Sequence, residues 1–170
     1  MSRLRLVAVT LCTLAGSAVA APPGQAHAAF ERLAKLDGNW KSQGKDDVVF
    51  ITWRVIANGA AVLETVSNAD HTKVTSVTVY AVEGDELVAS HFGSEVLHPR
   101  LGLKTHDAGR LRFEVLPADA PKDAKAAHVS AVLLVVKGDD VVTLEWTTSA
   151  GGKSVRRALE LKREYLDTLK

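Results

Sequence analysis

Cysteine is almost absent from this sequence. The single cysteine, Cys12, lies in an N-terminal segment that we expect to be removed, so the rest of the chain has neither a thiol nor a disulfide. A chain without disulfides must be stabilised by its own hydrophobic core. The part that follows this segment, about 150 residues, is long enough for one domain of ordinary size with such a core.

The sequence also lacks an excess of charge and a long hydrophobic run. Its 21 Lys and Arg residues balance 20 Asp and Glu residues, and the formal net charge is +1 at pH 7. This near balance gives no electrostatic footprint for nucleic acid or for an anionic membrane. The apolar stretch at residues 6–14 is too short to anchor the chain across a bilayer. We therefore expect no nucleic-acid partner and no membrane insertion of the processed chain, whereas the oligomeric state stays open.

Recognisable catalytic and metal-binding patterns are missing as well. The six histidines show no metal-ligand spacing, and no Gly-x-Ser-x-Gly elbow or phosphate-cradling glycine loop is present. Haem is not expected, because no histidine follows His128 that could serve as a late axial ligand. The sequence therefore predicts no metal, no cofactor and no catalytic residue.

The N-terminus has the features of a secretory signal peptide. Arg3 and Arg5 precede the apolar residues 6–14, and Ala18 and Ala20 are the small residues that a signal peptidase reads. Cleavage after Ala20 would send the chain to the periplasm or the exterior. The sequence thus predicts a signal peptide at residues 1–20, a flexible leader at 21–26 and a single domain at 27–170.

Periodicity predicts one short helix followed by strands. Residues 27–37, HAAFERLAKLD, carry Phe30, Leu33 and Leu36 at helical spacing. From Trp40 onward, segments rich in β-branched and aromatic residues alternate with short turns such as Asn58-Gly59. The expected strands are residues 40–43, 48–57, 60–67, 74–82, 87–92, 100–105, 110–116, 129–137, 141–149 and 154–163.

This pattern predicts an all-β fold, an antiparallel up-and-down barrel of about ten strands with one short N-terminal helix. The connections are nearly all short, so consecutive strands should be antiparallel neighbours. Closure into a barrel removes the two exposed edges of such a meander and leaves room for a small ligand. The alternative is a sandwich, which needs a long crossover, and only residues 117–126 are long enough for one.

The first and last strands together resemble the calycin, or lipocalin-like, pattern. Gly38 and Trp40 form a Gly-x-Trp on the first strand, and Arg156 and Arg157 lie on the last. In that pattern a basic side chain covers the indole, a contact worth about 1–2 kcal/mol when partly desolvated. The resemblance implies a structural role for Trp40, Arg156 and Arg157 at the closed end of a lipocalin-like barrel.

A closer resemblance covers most of the remaining chain. The segments FERLAKLDGNW, ITWRVIANGAAVLET, VTVYAVEGDELVASHF, the Pro-Arg pair and TLEW are similar to a family of secreted or periplasmic bacterial proteins of unknown function with a lipocalin-like barrel. The sequence departs from the family pattern at Phe92, Gly93, Leu97 and His98. The positions of the family's pattern that this sequence matches are Arg54, Glu64, His91, Pro99, Arg100, Glu145 and Trp146.

Five of these residues are the candidate ligand-binding set: His91, Arg100, Glu145, Arg54 and Glu64. His91 shares a strand face with Leu87 and Ala89, and residues 90–100 are expected to bring it beside Arg100 at one pocket. A guanidinium suits an anionic group, but Arg54 and Arg100 could instead pair with Glu64 or Glu145 as scaffolding. With a two-residue turn at Asn58-Gly59, Arg54 lies opposite Leu63 and Glu64 faces the other way; a bulged turn would bring Arg54 and Glu64 together.

Two classes of function remain after this reading. The first is an exported protein that binds a small, partly apolar molecule, with or without an acidic group, in the barrel cavity. The second is an enzyme of low or unknown activity that uses His91 with Glu145 or Glu64 as acid and base in the same cavity. An interaction module would need an exposed apolar patch on the outside of the barrel.

Overall fold

The structure is a computed structural model that describes residues 24–44, 48–107, 109–123 and 125–165. The expected signal peptide and the first three residues of the expected leader lie outside the described residues. Within the described part, one α-helix precedes ten strands. The helix α1 spans Gln25–Ala34, and the strands are β1 Gly38–Ser42, β2 Val49–Ile56, β3 Ala61–Asn68, β4 Val74–Glu83, β5 Glu86–Phe92, β6 Arg100–Asp107, β7 Arg110–Val115, β8 His128–Val136, β9 Val141–Ala150 and β10 Lys153–Glu164.

The ten strands form a closed antiparallel barrel in which each strand pairs with its neighbours in sequence. β1 closes the barrel because it pairs with β2 on one side and with β10 on the other. The all-β, up-and-down barrel expected from the sequence is therefore confirmed, and the sandwich is excluded. Closure pairs every strand on both sides and leaves no free sheet edge.

The helix starts and ends earlier than the periodicity predicts. It occupies Gln25–Ala34 instead of residues 27–37, so its first turn includes two residues that we expected in the leader. Ala26, Ala29 and Leu33 are the buried stripe that faces the barrel core. The buried stripe thus begins at Ala26, one helical turn before Phe30, the first apolar position from which the helix was predicted. No helix in the described ranges is long and apolar enough to cross a membrane.

Aromatic side chains fill the barrel interior next to α1. Trp40, Trp53, Tyr80 and Phe113 are all completely buried. The rings of Trp40 and Trp53 meet edge to face, with centroids 5.6 Å apart and planes at 87°, and those of Tyr80 and Phe113 lie 5.4 Å apart. Large rings in such offset contacts pack densely, so aromatic side chains fill this end of the barrel.

Arg163, not Arg156 or Arg157, covers Trp40. The Arg163 guanidinium lies 4.4 Å from the centre of the Trp40 ring and donates a hydrogen bond to the Lys35 carbonyl over 3.0 Å. The expectation for Arg156 and Arg157 is wrong because Trp40 pairs with Arg163 in the register of β1 and β10. The two expected residues lie about 20 Å farther along the same strand.

Candidate binding site

A cavity of about 430 Å³ opens at the end of the barrel opposite α1. At that end β1 and β3 finish and β2 and β4 begin. The cavity therefore lies between the ends of these strands and the loop after β5. Its walls mix aliphatic, aromatic and polar side chains. The lining residues are Val48, Val49, Val66, Asn68, Thr75, Ser76, His91, Gly93, Ser94, Glu95, Val129, Trp146, Thr148, Arg157 and Leu159.

Three polar side chains form a row across the inner wall of the barrel. Strand register places Glu64 of β3 opposite Thr78 of β4, and Thr78 opposite His91 of β5. Directly opposite residues of antiparallel strands point to the same face. Glu64, Thr78 and His91 are 0%, 1% and 6% exposed, so the row is buried and meets the cavity only at His91.

The Glu64 carboxyl group is held by three donors. Trp53 Nε1 donates to Oε2 over 3.1 Å, the Tyr80 hydroxyl donates to Oε2 over 2.9 Å, and the Thr78 hydroxyl is 3.2 Å from Oε1. Burial disfavours the charged form and raises the pKa of Glu64 to about 7, although the three hydrogen bonds act in the other direction. Glu64 therefore exchanges its proton near neutral pH.

Thr78 connects Glu64 to His91. Its Oγ1 lies 2.9 Å from Nδ1 of His91, while Nε2 of the same ring lies 3.9 Å from Oε2 of Glu95. Burial lowers the pKa of His91, and the opposing attraction of Glu95 is the smaller effect. The imidazole is therefore neutral at pH 7.

Gly93 makes room for Glu95 beside His91. A Cβ at Gly93 would overlap Oε2 of Glu95 and would lie 3.0 Å from Nε2 of His91. Oε2 of Glu95 is buried and has no hydrogen-bond partner among the described residues. The 3.9 Å separation of Glu95 and His91 is too long for a direct hydrogen bond, so the two groups present unmatched polar atoms side by side.

Arg100 does not meet His91. It pairs with Ser90 across β5 and β6, and adjacent residues on a strand face opposite sides, so Arg100 points away from the cavity. On the outer surface it pairs with Glu83 at 3.0 Å and Asp119 at 3.1 Å. The expectation of a shared pocket is wrong because the register differs by one residue from the pairing of His91 with Arg100 that it required.

Arg54 and Glu145 also lie on the outer face. Arg54 is opposite Leu63, as a two-residue turn predicts, and it donates to Asn39 over 2.7 Å. Glu145 is opposite Leu133 and pairs with Arg156 at 3.1 Å. Neither side chain lines the cavity, and neither arginine of the candidate set pairs with Glu64 or Glu145.

Of the five expected ligand-binding residues, the structure thus brings together His91 and Glu64. Arg157, expected at the closed end, lines the cavity instead, opposite Trp146. The sequence reading missed Thr78, Tyr80 and Glu95. The alternation Thr78-Val79-Tyr80 on β4 places two hydroxyls on one face, a signal that was available, whereas no strand periodicity reaches Glu95 in its loop.

The molecule is a closed ten-stranded barrel with a cavity at one end and a buried polar row beneath it. Compared with known proteins, the chain matches no family model and has no significant match to a curated protein. Among the described residues, no group of three or more His, Cys, Asp or Glu side chains is arranged to hold a metal ion.

Proposed function

We propose that this chain is an exported protein, periplasmic or secreted, that binds a small, partly apolar molecule in the cavity of its barrel. The single observation that carries the proposal is the cavity itself, a space of about 430 Å³ at the end of the closed barrel opposite α1. Small-molecule sites are typically concave, mostly apolar and furnished with a few polar groups. Membership of the lipocalin-like bacterial family is part of the proposal and rests on the sequence resemblance.

The lining residues support a ligand with an apolar body and a polar end. The apolar contacts come from the aliphatic side chains of Val49, Val66 and Leu159 and from the indole of Trp146, all of which line the cavity.

 The polar end of the ligand needs other partners, because these aliphatic side chains offer no hydrogen bond. His91 and Arg157 reach the same space from β5 and β10, and a guanidinium suits a carboxylate or another acidic group.

Filling the cavity tests this proposal. Thr148 lines the cavity, whereas its neighbour Thr147 is on the outer face of β9. Thr148→Trp should abolish the binding of anilinonaphthalene sulfonate, an apolar anionic fluorescent probe, and Thr147→Trp should leave it unchanged. Fluorescence titration measures both, and equal binding by the two variants would place the probe outside the cavity and contradict the proposal.

The second candidate function is an enzyme in which His91 exchanges a proton with a substrate in the cavity and Glu64, buried behind Thr78, exchanges a proton with His91 through the row. The observation that favours it is the hydrogen-bonded row from Glu64 through Thr78 to His91. Glu145 takes no part, because it faces outward. Native mass spectrometry of the protein from its own cells separates the candidates: a co-purified small molecule that stays chemically unchanged on incubation supports binding, and its conversion supports catalysis.

A further inference from the structure

We propose that the cavity selects ligands that donate a hydrogen bond to Nε2 of His91, such as a phenol or a ring N–H, and that protonation of Glu64 reverses this selection. The inference rests on the proposed function, because it specifies the chemistry of the ligand in the same cavity. It follows from counting the hydrogens available along the buried row Glu64–Thr78–His91.

The Thr78 hydroxyl has one hydrogen and two neighbours that need it. Oε1 of Glu64 lies 3.2 Å away and Nδ1 of His91 lies 2.9 Å away. A hydroxyl donates one hydrogen bond and accepts others, and a neutral imidazole carries its proton on one nitrogen only. The direction of one hydrogen bond in the row therefore decides the direction of the other.

When Glu64 is ionised, its carboxylate only accepts hydrogen bonds. Thr78 then donates to Glu64, and Nδ1 of His91 must donate to Thr78. The imidazole proton is on Nδ1, so Nε2 presents a lone pair to the cavity. Oε2 of Glu95 is a second acceptor 3.9 Å from Nε2, so the space beside His91 is lined by two acceptors and favours a ligand group that donates a hydrogen over one that accepts.

When Glu64 is protonated, the row runs the other way. Oε2 already accepts hydrogen bonds from Trp53 Nε1 and from the Tyr80 hydroxyl, so the acidic proton belongs on Oε1, facing Thr78. Glu64 then donates to Thr78, and Thr78 donates to Nδ1 of His91. The imidazole proton moves to Nε2, which becomes a donor that suits a ligand carbonyl or carboxylate.

Few other titratable groups face this row. Tyr80 of β4 touches Glu64 and stays protonated, because burial raises its pKa far above the ordinary value. Glu95 and His98 act on the charge of His91 from the loop after β5, and Arg157 faces the cavity from β10. The helix α1 packs apolar side chains against the interior. The pKa of Glu64, about 7, places the reversal near neutral pH.

The tautomer of His91 is measurable without any ligand, by NMR of its ring nitrogens. In the wild type the proton should be on Nδ1 at about pH 8.5 and move to Nε2 as the pH falls below 7. In Glu64→Gln, Trp53 holds the amide oxygen, the amide nitrogen faces Thr78, and the proton should be on Nε2 at both pH values. Thr78→Val is the matched control, in which the tautomer no longer responds to Glu64.

A wild-type tautomer that does not change with pH, or a Glu64→Gln tautomer with the proton on Nδ1, would overturn the inference. Full protonation of the ring is distinguished by the shifts of both nitrogens. Since the lowered pKa of His91 delays that step to more acidic pH, the two events separate along the titration.

The ligand class is tested with para-ethylphenol as the donor probe and acetophenone as the acceptor probe, both neutral in this pH range. The ratio of their dissociation constants should change about tenfold in favour of the ketone between about pH 8.5 and about pH 5.5. In Glu64→Gln the ratio should stay at the value that the wild type has at about pH 5.5.

Binding of both probes with a constant ratio overturns the inference and leaves the proposed function standing. If neither these probes nor anilinonaphthalene sulfonate binds, the proposed function and the ligand class fail together, while the NMR result still decides the tautomer reversal.

Discussion

The buried carboxyl group of Glu64 links the stability of the protein to pH. Its pKa rises from 4.5 to about 7 on folding, so between these values the folded state binds more protons than the unfolded state. Stability therefore falls as the pH rises through this window. A shift of this size corresponds to about 3 kcal/mol, fully present below the unfolded pKa and lost above the folded one.

We therefore predict that the wild type gains stability relative to Glu64→Gln as the pH falls from about 7 to 4.5. The amide does not titrate, so the difference between the two proteins isolates Glu64 from the opposite effect of His91, whose lowered pKa costs stability in acid. Urea unfolding at a series of pH values measures the difference. A difference that does not vary with pH would show that the pKa of Glu64 is the same in the folded and unfolded states, and would contradict the prediction.

At this scale the sequence predicted residue types better than residue directions. His91 and Glu64 lie on inward positions, but the five candidates also included three residues that point outward. Arg100 illustrates the physical reason: a register change of one residue moves a side chain to the other face of the sheet. Tyr80 and Thr78 were missed because their alternation on β4 shows that they share a face but does not show that this face points inward.

At the scale of elements, the segment between β5 and β6 is tied to the barrel rather than loose. Leu97 forms an isolated bridge with His128, and its N–H donates to the Ala127 carbonyl over 3.1 Å. The same segment carries Glu95 back to His91. The first residues of the segment, Gly93, Ser94 and Glu95, line the cavity, a role that strand periodicity does not reveal, because the segment belongs to no regular strand.

Gly93 allows a test of this segment. Its φ is not in the left-handed region, so alanine is compatible with the backbone there, but the added Cβ would displace the Glu95 carboxyl group. Because Glu95 raises the pKa of His91, Gly93→Ala should lower the pKa of His91 further and change stability by less than about 1 kcal/mol. An NMR titration of His91 measures the shift. Glu95→Gln should lower it in the same direction, and an unchanged pKa in both variants would contradict the contact.

At the scale of the whole molecule, the two ends of the barrel have different roles. The sequence predicted the closed barrel because about ten short strands with tight turns leave few other topologies. It did not predict the register near the irregularities at Leu103/Thr105 and Val129/Ala131, where an extra residue changes which side chains face inward. The arginine over Trp40 was mispredicted for a different reason: β1 pairs antiparallel with the far end of β10, so Trp40 meets Arg163, and Arg157 lies toward the cavity end instead.

The filled end should control stability and the open end should control binding. Leu33 of α1 is completely buried in the core, so Leu33→Ala should destabilise the protein by about 2–4 kcal/mol through lost burial and a cavity. Because the ligand cavity opens at the opposite end, the dissociation constant of the cavity probe should change less than about twofold. Thr148→Trp should do the reverse, abolishing probe binding with little loss of stability. Thermal unfolding and fluorescence titration of both variants measure the two properties, and a loss of affinity in Leu33→Ala would mean that α1 and the cavity walls are coupled through the aromatic core.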